Sequence, residues 1–279
     1  MFEQDTLAVI FVGLMGLATL MYVILDGYDL GVGMLLPNNS EKDADTMIAS
    51  IGPFWDANET WLVLAIGLLL IAFPTAHSMV LKALYLPSAV MLIGLILRGV
   101  AFDFRAKAAV SHRRTWNKLF KIGSYIASLS QGYMLGLYVT GFDDSMAANA
   151  FAMLSAIGVA AAYMLIGSTW LVMKTENELQ QKAINIALRS VVVTFVGILL
   201  VSATNLWINP EIYDKWFSPS FALLLLPLPV ICFGLFILCF AVLKHLKQNP
   251  NTGSGLPLII VVFIFSLSFF GLAFSFFPD

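Results

Sequence analysis

Eight apolar stretches recur along this chain, at 7–36, 55–73, 81–100, 122–140, 147–173, 190–208, 221–243 and 256–277. A helix needs about 20 apolar residues to cross the hydrocarbon of a bilayer, and backbone in lipid must satisfy its own hydrogen bonds. Each stretch therefore predicts a transmembrane helix, and the fold class is all-α, a polytopic membrane protein. Composition agrees: 59% of residues are apolar, 11% are charged, and mean hydropathy is +0.88, outside the range of a soluble domain. The first stretch spans about 30 residues, or about 45 Å of helix, so it tilts or protrudes.

Other classes are excluded early. A net charge of −2 argues against a nucleic-acid partner. Cys232 and Cys239 fall seven residues apart in one span, about 10 Å along a helix and too far for a disulfide. They form no metal-binding or redox motif. Glu3 and Asp5 precede the first apolar run, where a cleavable signal peptide would carry basic residues.

Basic residues orient the spans. With the amino terminus outside, the inner connections hold Lys42, Arg105, Lys107, Arg113, Arg114, Lys118, Lys121, Lys174, Lys182, Arg189, Lys244 and Lys247. Arg98 lies at the inner end of the third span, and only Lys82 and Lys215 remain outside. The positive-inside rule thus predicts an outside amino terminus, and after eight spans an outside carboxyl terminus.

Two motifs interrupt the apolar pattern. DGYDLGVG (residues 26–33) carries Asp26 and Asp29, and GPFWDANETW (residues 52–61) carries Asp56 and Glu59. An ionised acid at membrane depth costs about 2.5–3.5 kcal/mol on insertion scales, so such acids mark pathways or sites. Residues three apart share a helix face. Short-linked spans are neighbours as a rule, which predicts all four acids at one inner mouth with Arg98, Asp103 and Arg105 at the same level.

Plainer readings stand beside this one. A single acid near a helix end reaches water cheaply, an Arg98 ion pair can simply fix packing, and Asp56 and Glu59 suit a helix amino terminus. The apolar run after Asp29 favours a functional reading for the set. Gly27 and Gly31 read as a small-residue face for helix contact, not a phosphate loop. His77, His112 and His245 all fall outside mid-depth, which argues against a haem bound by this chain alone. Trp55, Trp61, Trp116, Trp170, Trp207 and Trp216 cluster near span ends, as in an interface belt. Gln131, in the fourth span, is placed to hydrogen-bond across helices.

The segments DGYDLGVG, GPFWDANETW and RGVAFDFRAK (residues 98–107), in this order, resemble the second subunit of cytochrome bd-type quinol oxidases. The PFWDANETWLV wording is similar to the shorter, cyanide-insensitive branch. The resemblance covers nearly the whole chain and implies a bacterial inner-membrane oxidase that oxidises quinol and reduces dioxygen to water. It implies two haems b and one haem d in a haem-bearing first subunit, and no haem in this one. In some members it further implies a structural quinone or a small single-span subunit. It also implies two four-helix bundles, here 1–140 and 147–279, with a ninth, peripheral helix that this sequence does not reach. Asp26, Asp29 and Asp56 match the family's acidic positions and become candidates for a cytoplasmic proton route. Relatives can carry an uncharged residue at Glu59, which weakens its claim to be essential. Arg98, Asp103 and Arg105 take ion-pair roles. The alternatives are a proton- or cation-coupled secondary transporter, against which the unpaired Pro227/Pro229 interruption counts, and a purely structural scaffold.

Overall fold

The computed structural model describes residues 4–107, 110–218, 225–250 and 252–276. Glu3, the start of the seventh predicted span at 221–224, and Phe277 lie outside the described residues. The chain is all-helical there. The elements are α1 (Gln4–Leu35), α2 (Glu41–Ile51), α3 (Trp55–Ala72), α4 (Pro74–Lys107) and α5 (Val110–Val139). They continue with α6 (Met146–Lys174), α7 (Asn177–Ile208), α8 (Pro210–Phe217), α9 (Pro227–Leu246) and α10 (Leu256–Phe276).

Seven of these helices, α1, α3, α4, α6, α7, α9 and α10, are long and apolar enough to cross a membrane. The predicted span at 122–140 is the second half of α5, a 30-residue helix. Its basic first half and its polar Ser124, Ser128, Ser130 and Gln131 keep it less apolar than the others. Ser124 donates to the Phe120 carbonyl at 2.9 Å and Ser128 to the Ser124 carbonyl at 2.7 Å, so these hydroxyls are satisfied within the helix.

Four boundaries differ from the hydropathy reading. Residues 41–51, expected as loop, form α2. Ser40 caps it by accepting from the Asp43 amide at 3.2 Å, Glu41 and Asp43 fill its first turn, and Ala44, Met47, Ile48 and Ile51 are buried on one stripe. That pattern defines an amphipathic helix lying against the bundle. The third span lengthens into the 34-residue α4, joined to α3 through Phe73 alone. His77 and Lys82 therefore belong to α4 rather than to an outer loop, and Lys215 belongs to α8. Pro227 stands at the first turn of α9, where a proline sacrifices no helical hydrogen bond.

The core is built around the second half of α1. Leu30, Val32, Met34 and Leu36 are fully buried, whereas Leu7, Val9, Ile10, Leu14 and Leu17 near its start are exposed. Gly31 of α1 meets Gly167 of α6 backbone to backbone. A Cβ on Gly31 would lie 1.9 Å from the Tyr163 carbonyl oxygen, and one on Gly167 would lie 2.6 Å from the Gly31 backbone. Small residues permit this approach, which is how membrane helices gain dispersion contact. By contrast α3 buries little besides Asn58 and Ala65.

One end of the bundle is tied by polar contacts. Lys121 donates to the Leu36 carbonyl at 3.0 Å, Arg105 pairs with Asp45, and Lys182 pairs with Asp43 at 2.8 Å. The carboxyl ends of α1 and α4, the amino ends of α5 and α7, and all of α2 therefore share this end, where the basic residues concentrate.

Candidate functional site

Three of the four motif acids assemble two turns in from that basic end. Asp26 and Asp29, on successive turns of α1, are fully buried, as is Arg98 of α4. Arg98 Nη2 donates to Asp26 Oδ1 at 2.7 Å and also to Glu59 Oε1 of α3. The Glu59 side chain is 25% exposed, against 0% for the other two partners. Trp55 places its ring 5.8 Å from the Arg98 guanidinium carbon, a cation–π contact that helps shield the charge.

Asp29 is held differently. The side-chain amide of Asn58 donates to Asp29 Oδ2 at 2.8 Å and to the Tyr28 hydroxyl at 2.8 Å. Tyr28 stacks on Trp170 of α6, centroids 4.2 Å apart and planes 8° from parallel, and the Trp170 indole donates to Ser50 of α2 at 3.3 Å. Contacts thus run from the surface helix α2 to Asp29. Trp170, expected in an interface belt, is instead buried at 9% exposure.

Several buried polar atoms remain without a hydrogen-bond partner: Asp26 Oδ2, Asp29 Oδ1, and Arg98 Nε and Nη1. Native interiors pair nearly all such atoms, and exceptions call for a reason. Among the described residues four of the seven such side-chain atoms fall on this one cluster, the others being Arg113 Nε, Ser155 Oγ and Thr194 Oγ1. Three carboxylates face one guanidinium, leaving capacity for exchangeable protons that a fully paired cluster would lack.

The remaining expected members lie elsewhere. Asp56, on the first turn of α3, is exposed and joins no ion pair among the described residues. It stands one turn before Glu59 and is felt by that carboxylate, but it does not join the ion pairs of Arg98 with the buried Asp26 of α1 and with Glu59. Asp103 is exposed as well. Arg105 lies seven residues beyond Arg98 on the unbroken α4, about 10 Å further along. It forms a separate cluster with Asp45 of α2 and Asn117 of α5, so it is not at the level of Arg98. Asn58, Tyr28, Asp45 and Asn117 were not singled out from the sequence. Asn58 carried a usable signal, as an amide within an apolar span.

The histidines stand apart from this site. His77 is in the first turn of α4, His112 near the start of α5 and His245 in the last turn of α9. None stands beside the buried cluster, so these residues offer a haem no pair of axial imidazoles there. Among the described residues no group of His, Cys, Asp and Glu is arranged to hold a metal ion.

Comparison with known proteins points the same way as the motifs. The chain is 29% identical over 276 residues to cytochrome bd ubiquinol oxidase subunit 2 of Bacillus subtilis, covering 93% of this chain and 78% of that protein. It is 30% identical over 213 residues to cytochrome bd-I ubiquinol oxidase subunit 2 of Escherichia coli, covering 70% and 56% respectively. The fold superposes on a chain of the bd oxidase from Geobacillus thermodenitrificans with TM-score 0.79 at 19% identity, over 98% of this chain and 85% of that one. Residues 7–279 match the family model described as cytochrome bd terminal oxidase subunit II, and the chain belongs to that family.

Proposed function

We propose that this chain is the haem-free second subunit of a membrane complex that oxidises quinol and reduces dioxygen to water. In this reading its buried acids pass protons from the basic end of the bundle toward a haem-bearing first subunit. Haem in that partner would supply the electron transfer and the oxygen chemistry. The observation that carries the proposal is the cluster of Asp26, Asp29, Glu59 and Arg98, whose carboxylate oxygens Asp26 Oδ2 and Asp29 Oδ1 are buried and unpartnered.

Orientation follows from charge. The basic connections favour the cytoplasmic side, so the amino terminus lies outside and the cluster opens toward the cytoplasm. Drawing protons from there during oxygen reduction separates charge across the membrane, worth about 2.3 kcal/mol per charge per 100 mV. Glu59, the most exposed buried-cluster acid, receives the proton; Arg98 links it to Asp26 by offering one nitrogen to both carboxylates. Asn58 holds Asp29 in a fixed orientation. Asp56, exposed one turn before Glu59, stands at the entrance of this route. A coupled transporter would also use buried acids, but the family membership favours the oxidase.

Replacing aspartate with asparagine keeps shape and hydrogen bonding while removing the exchangeable carboxyl proton. Asp29→Asn should assemble with near-normal haem content and lose most quinol-driven oxygen consumption per haem, whereas Asp26→Asn, which leaves Arg98 paired only with Glu59, should lose part of its assembly and most of its turnover per remaining haem. Normal turnover per haem in both variants would remove the proton role.

A further inference from the structure

A second polar group adjoins the cluster and has no part in the route just described. Gln131 of α5 donates from Nε2 to the Tyr22 hydroxyl of α1 at 2.6 Å. It accepts at Oε1 from the Tyr163 hydroxyl of α6 at 2.7 Å. Tyr22 and Tyr163 are 4% and 2% exposed, so three helices meet here through two phenols and one amide in an otherwise apolar layer. Tyr22 lies one turn before Asp26 on the same face of α1, with its hydroxyl in reach of the Asp26 carboxyl group, and Tyr163 stands near the same group.

The polarity of this group is fixed by what each atom can do. A tyrosine hydroxyl has one proton to donate, and Tyr163 spends its proton on Gln131. The amide N–H of Gln131 occupies a lone pair of the Tyr22 oxygen, leaving the Tyr22 proton free to point elsewhere. One turn along the same helix face, Asp26 Oδ2 is buried with no partner, while Oδ1 is held by Arg98. A side-chain amide is a poor conductor of protons, so the group orients rather than transports.

We propose that Tyr22, Gln131 and Tyr163 form a positioning unit for Asp26, with Gln131 aligning the Tyr22 hydroxyl to close on Oδ2 when the Arg98 contact loosens. The proposal rests on the proton-route reading of Asp26. The other groups that act on Asp26 are Tyr28 and Asp29 of α1, Glu59 of α3 and Arg98 of α4. Of these only Tyr28 is a neutral hydroxyl, and it lies two residues on, across the helix, where it accepts from Asn58 and stacks on Trp170. The remaining phenols near Asp26 are Tyr22 and Tyr163, and Tyr163 is already committed to Gln131.

Redox-difference infrared spectra of the whole oxidase complex test this, read alongside oxygen consumption per haem. The Asp26 carboxyl stretch is first assigned by its loss in Asp26→Asn. Tyr22→Phe, which removes one oxygen atom and keeps the ring packing, should displace that band. It should also lower turnover per haem about tenfold, the size of one lost hydrogen bond to a charged group. Gln131→Leu should do the same, and the double variant should be no slower than the slower single, because both act through one contact. An unmoved carboxyl band, or unchanged turnover per haem in Tyr22→Phe while Asp26→Asn is impaired, would overturn the proposal and leave the proton route standing. Normal turnover in Asp26→Asn would instead fault the route itself.

Discussion

Arg98 is the residue on which the site depends. It is among the largest fully buried side chains, and a single nitrogen serves Asp26 and Glu59 while Trp55 covers the guanidinium. Removing one partner of a buried ion pair leaves an uncompensated charge, which destabilises by about 3–5 kcal/mol. Arg98→Ala should therefore reduce assembled complex, read as haem content of the membranes, before it reduces turnover per haem. Pairing Arg98→Gln with Asp26→Asn should recover assembly in part, since both charges then disappear together. Normal haem content in Arg98→Ala would show that Asp26 does not rely on this partner. At this scale the acids and Arg98 were legible in the sequence because charges within apolar runs stand out. Tyr28 and Asp45 were not, because their roles depend on which helix faces meet.

Among the elements, the junction of α1 and α6 sets the geometry of everything around Asp26 and Asp29. The Gly31–Gly167 contact brings two backbones together on the turn after Asp29. Gly31→Ala would put a methyl group into the Tyr163 carbonyl and force the helices apart, an overpacking penalty of at least about 1–3 kcal/mol. Gly13→Ala on the same helix meets nothing within 4 Å and should be silent. Haem content and thermal stability of the two variants, measured together, check the contrast. Hydropathy located the membrane helices, since burial in lipid demands about 20 apolar residues wherever they fall. It passed over α2, which is 11 residues long and mixes acids with a buried apolar stripe, because an amphipathic helix shows a stripe rather than a run. It also ended α4 too early, since the RGVAFDFRAK segment turns polar while the helix continues.

For the whole molecule, proton uptake through the cluster needs the basic end to face the cytoplasm. Thr115 of α5 is exposed at that end. In a chain with Cys232 and Cys239 replaced by alanine, Thr115→Cys should resist a membrane-impermeant thiol reagent in intact cells and react after permeabilisation; the reverse order would invert the topology. The central claim, that the buried acids carry protons inward from that face, has a direct readout. Purified complex is sealed in vesicles of known orientation, with a pH-sensitive dye on the side of the basic loops, and given an oxygen pulse in the presence of excess quinol. Prompt alkalinisation is expected on the basic-loop side in the unmodified complex, slowed at least about tenfold in Asp29→Asn at equal haem content. Proton uptake from the opposite side, or an unslowed uptake in Asp29→Asn, would contradict it.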